Sequence, residues 1–213
     1  VRSRVAFADR AIIASNPAEL FLVIPRPVDL PAALEQRYER VAARLSELAL
    51  ELPAGLAATA AKAVVTSDFV LGVLTRHPRD LLERLGDDAP LDAAALRSRL
   101  VLGGLSEAQA SAALRRVRQV EMARIAWRDI AGSAGLDTTL ADVSLLADCL
   151  IDRALEYAAD SLEPRLGRPR DAQGNALPLL VLGMGKLGGR ELNFSSDVDL
   201  VFLHPDGAAA GTT

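Results

Sequence analysis

The sequence predicts an α+β protein. A mainly helical region over residues 1–170 is followed, over 171–213, by the first strands of an α/β unit. Three observations predict it. The 213-residue chain is half apolar, yet only 4% of it is aromatic. An Ala-rich, aromatic-poor composition favours close-packed helices. Apolar residues recur at spacings of three and four as far as about residue 162. After Gly167 the character changes, and a polar loop bearing Gly and Pro leads into two short apolar runs.

The helices follow in order. Residues 32–51 form an amphipathic stretch after Pro31, with Leu34, Tyr38, Val41, Leu45 and Leu48 on one stripe. Ser67 and Asp68 cap a helix through about Arg76. Pro78 suits the first turn of the next helix, which Gly86 stops after Leu85. A shorter helix covers about 91–101 and ends at Gly103-Gly104. Ser106 caps a long helix to about Ile130, with Leu114, Val117, Val120, Ile125 and Trp127 near one face. Gly132 to Asp137 reads as a turn. Thr138 or Thr139 starts another helix to about Leu162, with Leu140, Val143, Ala147, Leu150, Ala154 and Ala158 as its stripe. Leu179–Leu182 and Val198–Leu203 are the two strand signals, the first of the buried type. No internal repeat is visible.

Bulk properties exclude several classes. A net charge of −4 argues against a general nucleic-acid or membrane-surface binder. The longest apolar runs are far shorter than a membrane span. Cys149 is the only Cys, so no internal disulfide forms, and a reducing, cytoplasmic setting is expected. The first residues, VRSRVAFADRAIIASNP, show no convincing cleavage site for a signal peptide. They also lack an initiator Met, and the chain stops before the α/β unit closes, so a truncated fragment is expected.

The chemistry concentrates in GMGKLGGRELNFSSDVDLVFLHP, residues 183–205. Lys62 and Lys186 are the only Lys among 24 basic residues. A Lys inside a glycine turn, where Arg is the default cation, supplies a compact point charge. Gly183, Gly185 and Gly188 spell G-x-G-x-x-G after a strand, the dinucleotide-binding fingerprint. That Rossmann-type reading needs a helical crossover to a parallel strand. Only eight residues, Gly189–Ser196, separate the fingerprint from Asp197, so it is a distant alternative. A P-loop is rejected because Leu187 follows Lys186 where a magnesium-binding hydroxyl belongs.

A third reading uses every unusual residue. Asp197 and Asp199 stand at i and i+2 where a strand begins, so period two puts both carboxylates on one face, roughly 6.5–7 Å apart at Cα. Val198, Leu200 and Phe202 then face a core. Two such close carboxylates repel unless a cation lies between them. Paired Mg²⁺ ions, about 3.5–4 Å apart, satisfy that and act on a phosphoryl group. Leu187-Gly188-Gly189 makes a turn whose backbone N–H groups approach phosphate with no Cβ in the way. Gly185 and Lys186 precede it, and Lys186 adds charge for a phosphate. Glycine turn, short connector and D-x-D together have the layout of the polymerase-β-like nucleotidyltransferases. Other residues are given plainer roles. Arg190 and Glu191 are read as surface residues. Asn193, Ser195 and Ser196 are read as turn-formers, with a serine hydroxyl available to phosphate. His204 is a strand-end residue, His77 a helix junction and Cys149 core. Arg115, Arg116, Arg118, Arg124 and Arg128 are read as solvated or ion-paired.

GMGKLGGRELNFSSDVDLVF closely resembles the signature of the bifunctional glutamine synthetase adenylyltransferase/adenylyl-removing enzymes. SDFVLGVLTRHP at 67–78, RIAWRDI at 124–130 and DAQGNALPLLVLGMG at 171–185 extend the likeness to that family's N-terminal half. The resemblance covers 67–205 well and implies a nucleotidyltransferase that removes AMP from a tyrosine of glutamine synthetase by phosphorolysis, releasing ADP. Adenylylation from ATP by the same fold is the main alternative. The resemblance makes Asp197 and Asp199 the metal-binding, catalytic aspartates, with Mg²⁺ as cofactor. Gly185, Lys186, Gly188, Gly189 and Ser196 are the residues assigned to nucleotide and phosphate. It also implies glutamine synthetase and a PII signalling protein as partners. Two departures stand out. Gly188-Gly189 replaces the Gly-Ser that many nucleotidyltransferases carry at the turn. The third carboxylate of the fold is missing, since only Asp206 follows Asp199. The chain alone is therefore expected to be inactive.

Overall fold

The computed structural model describes Ile24, Arg26, residues 31–47, Leu52, residues 54–171 and residues 173–204. Seven helices precede a small hairpin. They are α1 (Ala32–Ser46), α2 (Ala54–Thr66), α3 (Asp68–Arg76), α4 (Pro78–Leu85), α5 (Ala93–Arg99), α6 (Glu107–Ala131) and α7 (Leu136–Leu166). The hairpin comprises β1 (Leu180–Gly183), a short helix α8 (Gly185–Gly188) and β2 (Leu200–Leu203). This is the expected α+β arrangement.

Local chemistry sets most boundaries. Ser67 accepts from the Val70 N–H at the start of α3. Pro78 occupies the first turn of α4. Ser106 and Gln109 form a reciprocal capping box on α6, satisfying two orphan N–H donors. Four boundaries differ from expectation. α5 is shorter than 91–101, because Asp92 takes the capping role by accepting from Ala95 N–H. At its other end Leu100 leaves helical geometry, and its carbonyl accepts twice from the Arg153 guanidinium. α7 begins at Leu136, after Gly135 and without a side-chain cap. Thr139, expected as its start, lies one turn inside and donates to Asp129 Oδ1. α7 also runs past Leu162 to Leu166 with Pro164 inside. α2 was not expected at all, and the predicted end of α1 at 48–51 lies outside the described residues.

α6 is the centre of the body. Every residue from Val120 to Arg128 is buried. One side, with Val120, Ala123 and Trp127, packs with α1 to α4 around Leu45, Val64, Leu74 and Leu81. The other side, with Met122 and Ile125, packs with α5 and α7 around Leu96, Val143, Leu146 and Cys149. Cys149 is thus core, as expected. The single apolar face expected of α6 is a pair of faces: Val120 and Trp127 belong to the first core, while Leu114, Val117 and Ile125 belong to the second.

Polar residues fill the gaps between those faces. Glu121 is fully buried and pairs with Arg84 and Arg99. Arg124, also fully buried, donates to the carbonyls of Arg84, Asp87 and Ala89. Arg128 pairs with buried Asp142 at 2.8 Å, and the other Asp142 oxygen accepts from Leu91 N–H at 2.9 Å. Arg116 is ion-paired to Asp80 on the surface. Arg124 and Arg128 are therefore structural groups of the interior, and Arg124 holds the α4–α5 loop mainly through backbone carbonyls rather than facing solvent. Among the described residues no single helix is long and apolar enough to cross a membrane.

Candidate functional site

The hairpin is antiparallel, with Leu180 opposite Leu203, Val181 opposite Phe202, Leu182 opposite Val201 and Gly183 opposite Leu200. A dinucleotide fold needs a parallel partner here, so the pairing removes the Rossmann-type alternative. β1 is not a buried strand: Leu180 and Leu182 are exposed. Of the three residues expected to face a core, Leu200 packs against the second core, while Val198 and Phe202 are exposed. Only two strands are present, so one face of the hairpin lacks a covering layer among the described residues. That face carries Leu180, Leu182, Val201 and Leu203.

α8 is built by close approach. A Cβ on Gly188 would lie 2.5 Å from the Gly183 carbonyl oxygen, so only glycine lets the helix sit against the end of β1. The helix then closes with paired bonds, Arg190 N–H to Leu187 O at 3.0 Å and Glu191 N–H to Lys186 O at 2.8 Å. This is a Schellman cap with Arg190, at φ 58°, in the left-handed position that glycine usually holds. Gly188 and Gly189 lie at this closing end of α8, and Met184, Gly185 and Lys186 at the opening end.

Two buried leucines fix the segment to the helical body. Leu187 and Leu192 are each 5% exposed and join the second core beside Val143, Leu146 and Cys149. Burying a Leu side chain stabilises by about 1.5–3 kcal/mol. The Leu192 N–H donates to Ser144 Oγ on α7. Nearby Asp148 has its carboxyl pushed up by burial, with the Arg190 guanidinium working against the shift.

Asp197 and Asp199 lie in the extended approach to β2 rather than within it, since the strand begins at Leu200. The Met184 N–H donates to Asp199 O at 2.9 Å and continues the hairpin ladder by one step. The ladder holds Asp199 directly opposite the start of α8. A cavity of ≈ 410 Å³ opens between these segments. One wall is Met184, Gly185 and Lys186; the other is Asn193, Ser195, Ser196, Asp197 and Asp199. Five residues expected at the site therefore meet, namely Gly185, Lys186, Ser196, Asp197 and Asp199. Gly188 and Gly189 are not in the lining. Asn193 and Ser195 are, although the sequence shows Asn193 only as a turn residue and Ser195 as a turn residue with a hydroxyl available to phosphate.

Lys186, Asp197 and Asp199 make no ion pair or side-chain hydrogen bond to any described residue. One cation and two anions thus face one cavity with their charges uncommitted. Two carboxylate side chains separated by one residue suit a hard divalent ion, which prefers oxygen ligands. They supply only part of a ligand set, and no group of three potential ligand side chains occurs among the described residues. A second cavity, ≈ 320 Å³, lies beside Gly103-Gly104, Arg153 and Tyr157. There Arg153 donates to Leu100 O and Tyr157 to Leu105 O, so these two side chains are already engaged.

The helical body thus pins a glycine turn opposite paired carboxylates. The chain belongs to the glutamate-ammonia ligase adenylyltransferase family, whose model matches residues 57–212. It is similar to the bifunctional glutamine synthetase adenylyltransferase/adenylyl-removing enzyme of Thioalkalivibrio sulfidiphilus, at 48% identity over 153 residues, covering 69% of this chain and 16% of that protein. The proteins of the same name from Shewanella loihica and Shewanella oneidensis are 38% and 40% identical, over 84% and 83% of this chain. The chain spans 19% of each of those two proteins.

Proposed function

We propose that this chain forms the helical support and first strands of a nucleotidyltransferase site that removes AMP from adenylylated glutamine synthetase by phosphorolysis. The observation that carries the reading is the cavity in which Lys186, Asp197 and Asp199 meet with no side-chain partner among the described residues. Family membership and the activities that the relatives' names carry support it.

In this reading Asp197 and Asp199 hold Mg²⁺, together with a carboxylate from elsewhere in the protein. A bound divalent ion supplies charge neutralisation for the phosphodiester and for the leaving oxygen. Inorganic phosphate attacks the α-phosphorus in line. The new P–O bond makes ADP, and the bond to the tyrosine oxygen breaks, with a proton returning to the tyrosinate. Lys186 places a point charge against phosphoryl oxygens. The chain contributes position and charge, which is where catalysis of phosphoryl transfer resides.

The test uses the full-length protein with adenylylated glutamine synthetase, phosphate and Mg²⁺. Release of ADP supports the reading. Labelling of unmodified glutamine synthetase by ATP, with no ADP released from the modified form, assigns this site to attachment instead.

A further inference from the structure

The geometry points to Asn193 as a phosphoryl contact: its side-chain amide, oriented by Ser196, donates a hydrogen bond to an anionic phosphoryl oxygen in the cavity. This rests on the phosphoryl-transfer reading above and goes beyond it by assigning a residue and reassigning another.

A side-chain amide has one acceptor atom and one donor atom. At Asn193 the acceptor is committed. Ser196 Oγ donates to Asn193 Oδ1 at 2.6 Å, and the Ser196 N–H donates to the Asn193 carbonyl at 3.3 Å. Nδ2, the donor end, makes no hydrogen bond to any described residue. Asn193 lines the same cavity as Lys186. Its backbone is well held, because the preceding Leu192 is buried and bonded to Ser144. The result is a held amide whose unbonded end is a donor, in a cavity that Lys186 lines from the opposite wall.

The same bond decides what Ser196 does. A hydroxyl has one proton. Ser196 has placed it on Asn193, so the hydroxyl is not free to donate to phosphate. Ser196 is a positioning residue, and the contact expected of it passes to its partner. Asn193 also fills a chemical gap. Gly188-Gly189 carries no hydroxyl, and neither glycine lines the cavity. Phosphoryl oxygens only accept. The wall that holds Asn193 therefore provides a neutral donor close to the two carboxylates, whose own charge repels a phosphate.

The experiment compares full-length wild type with Asn193→Ala, Asn193→Asp and Ser196→Ala. Calorimetric titration with ADP in Mg²⁺ is run beside the phosphate KM of ADP formation from adenylylated glutamine synthetase. Loss of a hydrogen bond to a charged group corresponds to about a tenfold or larger effect. Asn193→Ala should weaken ADP binding and raise the phosphate KM by about that factor, with the half-maximal Mg²⁺ concentration and the melting temperature unchanged. Asn193→Asp retains an acceptor for Ser196, so it controls for a fold defect. It should lose ADP at least as strongly without needing more Mg²⁺. Ser196→Ala, which frees the amide to rotate, should show the same change at smaller size. Wild-type ADP affinity in Asn193→Ala overturns the inference. So does a loss of affinity matched by early melting in both Asn193 variants. If wild type binds ADP but forms none from adenylylated glutamine synthetase and phosphate, and Asn193→Ala loses that binding, the inference stands and the phosphorolysis reading fails. If wild type binds neither ADP nor phosphate, both are overturned.

Discussion

The Leu192 N–H donates to Ser144 Oγ at 3.1 Å, and this bond joins the connector that carries the carboxylates to the N-terminal part of α7. Ser144 is buried and passes its own proton to Leu140 O at 2.8 Å. Its hydroxyl is fully used. Ser144→Ala strands the buried Leu192 N–H without an acceptor, a cost of about 1–3 kcal/mol. Amide exchange should speed up at Leu192 far more than at α2 or α3. Equal protection of Leu192 in variant and wild type would show that the bond does not hold the connector.

Asp197→Asn and Asp199→Asn, each made in the full-length protein, should abolish phosphate-dependent ADP formation while leaving the melting temperature nearly unchanged. Both side chains are exposed and unbonded, so their removal takes charge from the cavity and nothing from the fold. Lys186→Met should instead raise the phosphate KM and spare the Mg²⁺ dependence. Steady-state kinetics over a range of Mg²⁺ and phosphate separates the two effects, and full activity in either Asp variant would defeat the metal assignment.

Gly188 and Gly189 are adjacent and should respond oppositely. Gly188→Ala drives a Cβ to 2.5 Å from backbone oxygen at Gly183, which cannot move as a side chain can. A loss of about 1–3 kcal/mol is expected, as for overpacking. At Gly189 the nearest atom to an added Cβ is Gly185 O at 3.6 Å and φ is −80°, so Gly189→Ala should change stability by less than about 0.5 kcal/mol. Chemical denaturation of the two variants makes the comparison.

Asp142→Asn keeps volume and removes the charge that neutralises buried Arg128. Breaking a buried pair in this way costs about 3–5 kcal/mol. The low end is expected, because Arg128 keeps Asp88 at 3.2 Å. A denaturation midpoint equal to wild type would mean that Asp88 alone suffices.

Two aspartates should pull the pH dependence of stability in opposite directions. The hydrogen bond from Arg116 is the main reason that Asp80 sits below the ordinary carboxylate range. A depressed folded pKa gives stability that is full above the unfolded value, about 3.9, and is lost as pH falls through the folded one. Asp80→Asn should therefore lower the melting temperature at pH 7, with a difference that closes in acid. Asp148 is pushed up by burial, so its ionised form opposes folding at neutral pH and the penalty fades as pH falls. Asp148→Asn should raise the melting temperature at pH 7 and lose that advantage in acid. Melts from pH 3 to 7 read both.

Much of the fold was legible because its signals are local. Ser67, Pro78 and Ser106 announce helix starts through their own chemistry, and each acts where it stands. α2 was not legible, since AGLAATAAKAVVT has almost no polar face and no capping residue. The interior of α6 was legible in part. The sequence shows Arg124 and Arg128 as solvated or ion-paired, and only the neighbouring helices reveal the carbonyls and carboxylates that take them inside. The cavity was half legible. Lys186, Asp197 and Asp199 stand out by residue type and spacing. Asn193 does not, because its position depends on the turn that Ser196 closes and on the anchor at Leu192.

The two-sided burial of α6 makes the helical body one mechanical unit. Both cores lean on the same rod, so neither can melt and leave the other a wall to rest on. A fault beneath Trp127 would loosen Ile125 two residues away, then the packing under Leu187, and so the mouth of a cavity that Trp127 never touches. The chemistry at the far end of this chain draws its rigidity from a helix that carries none of it.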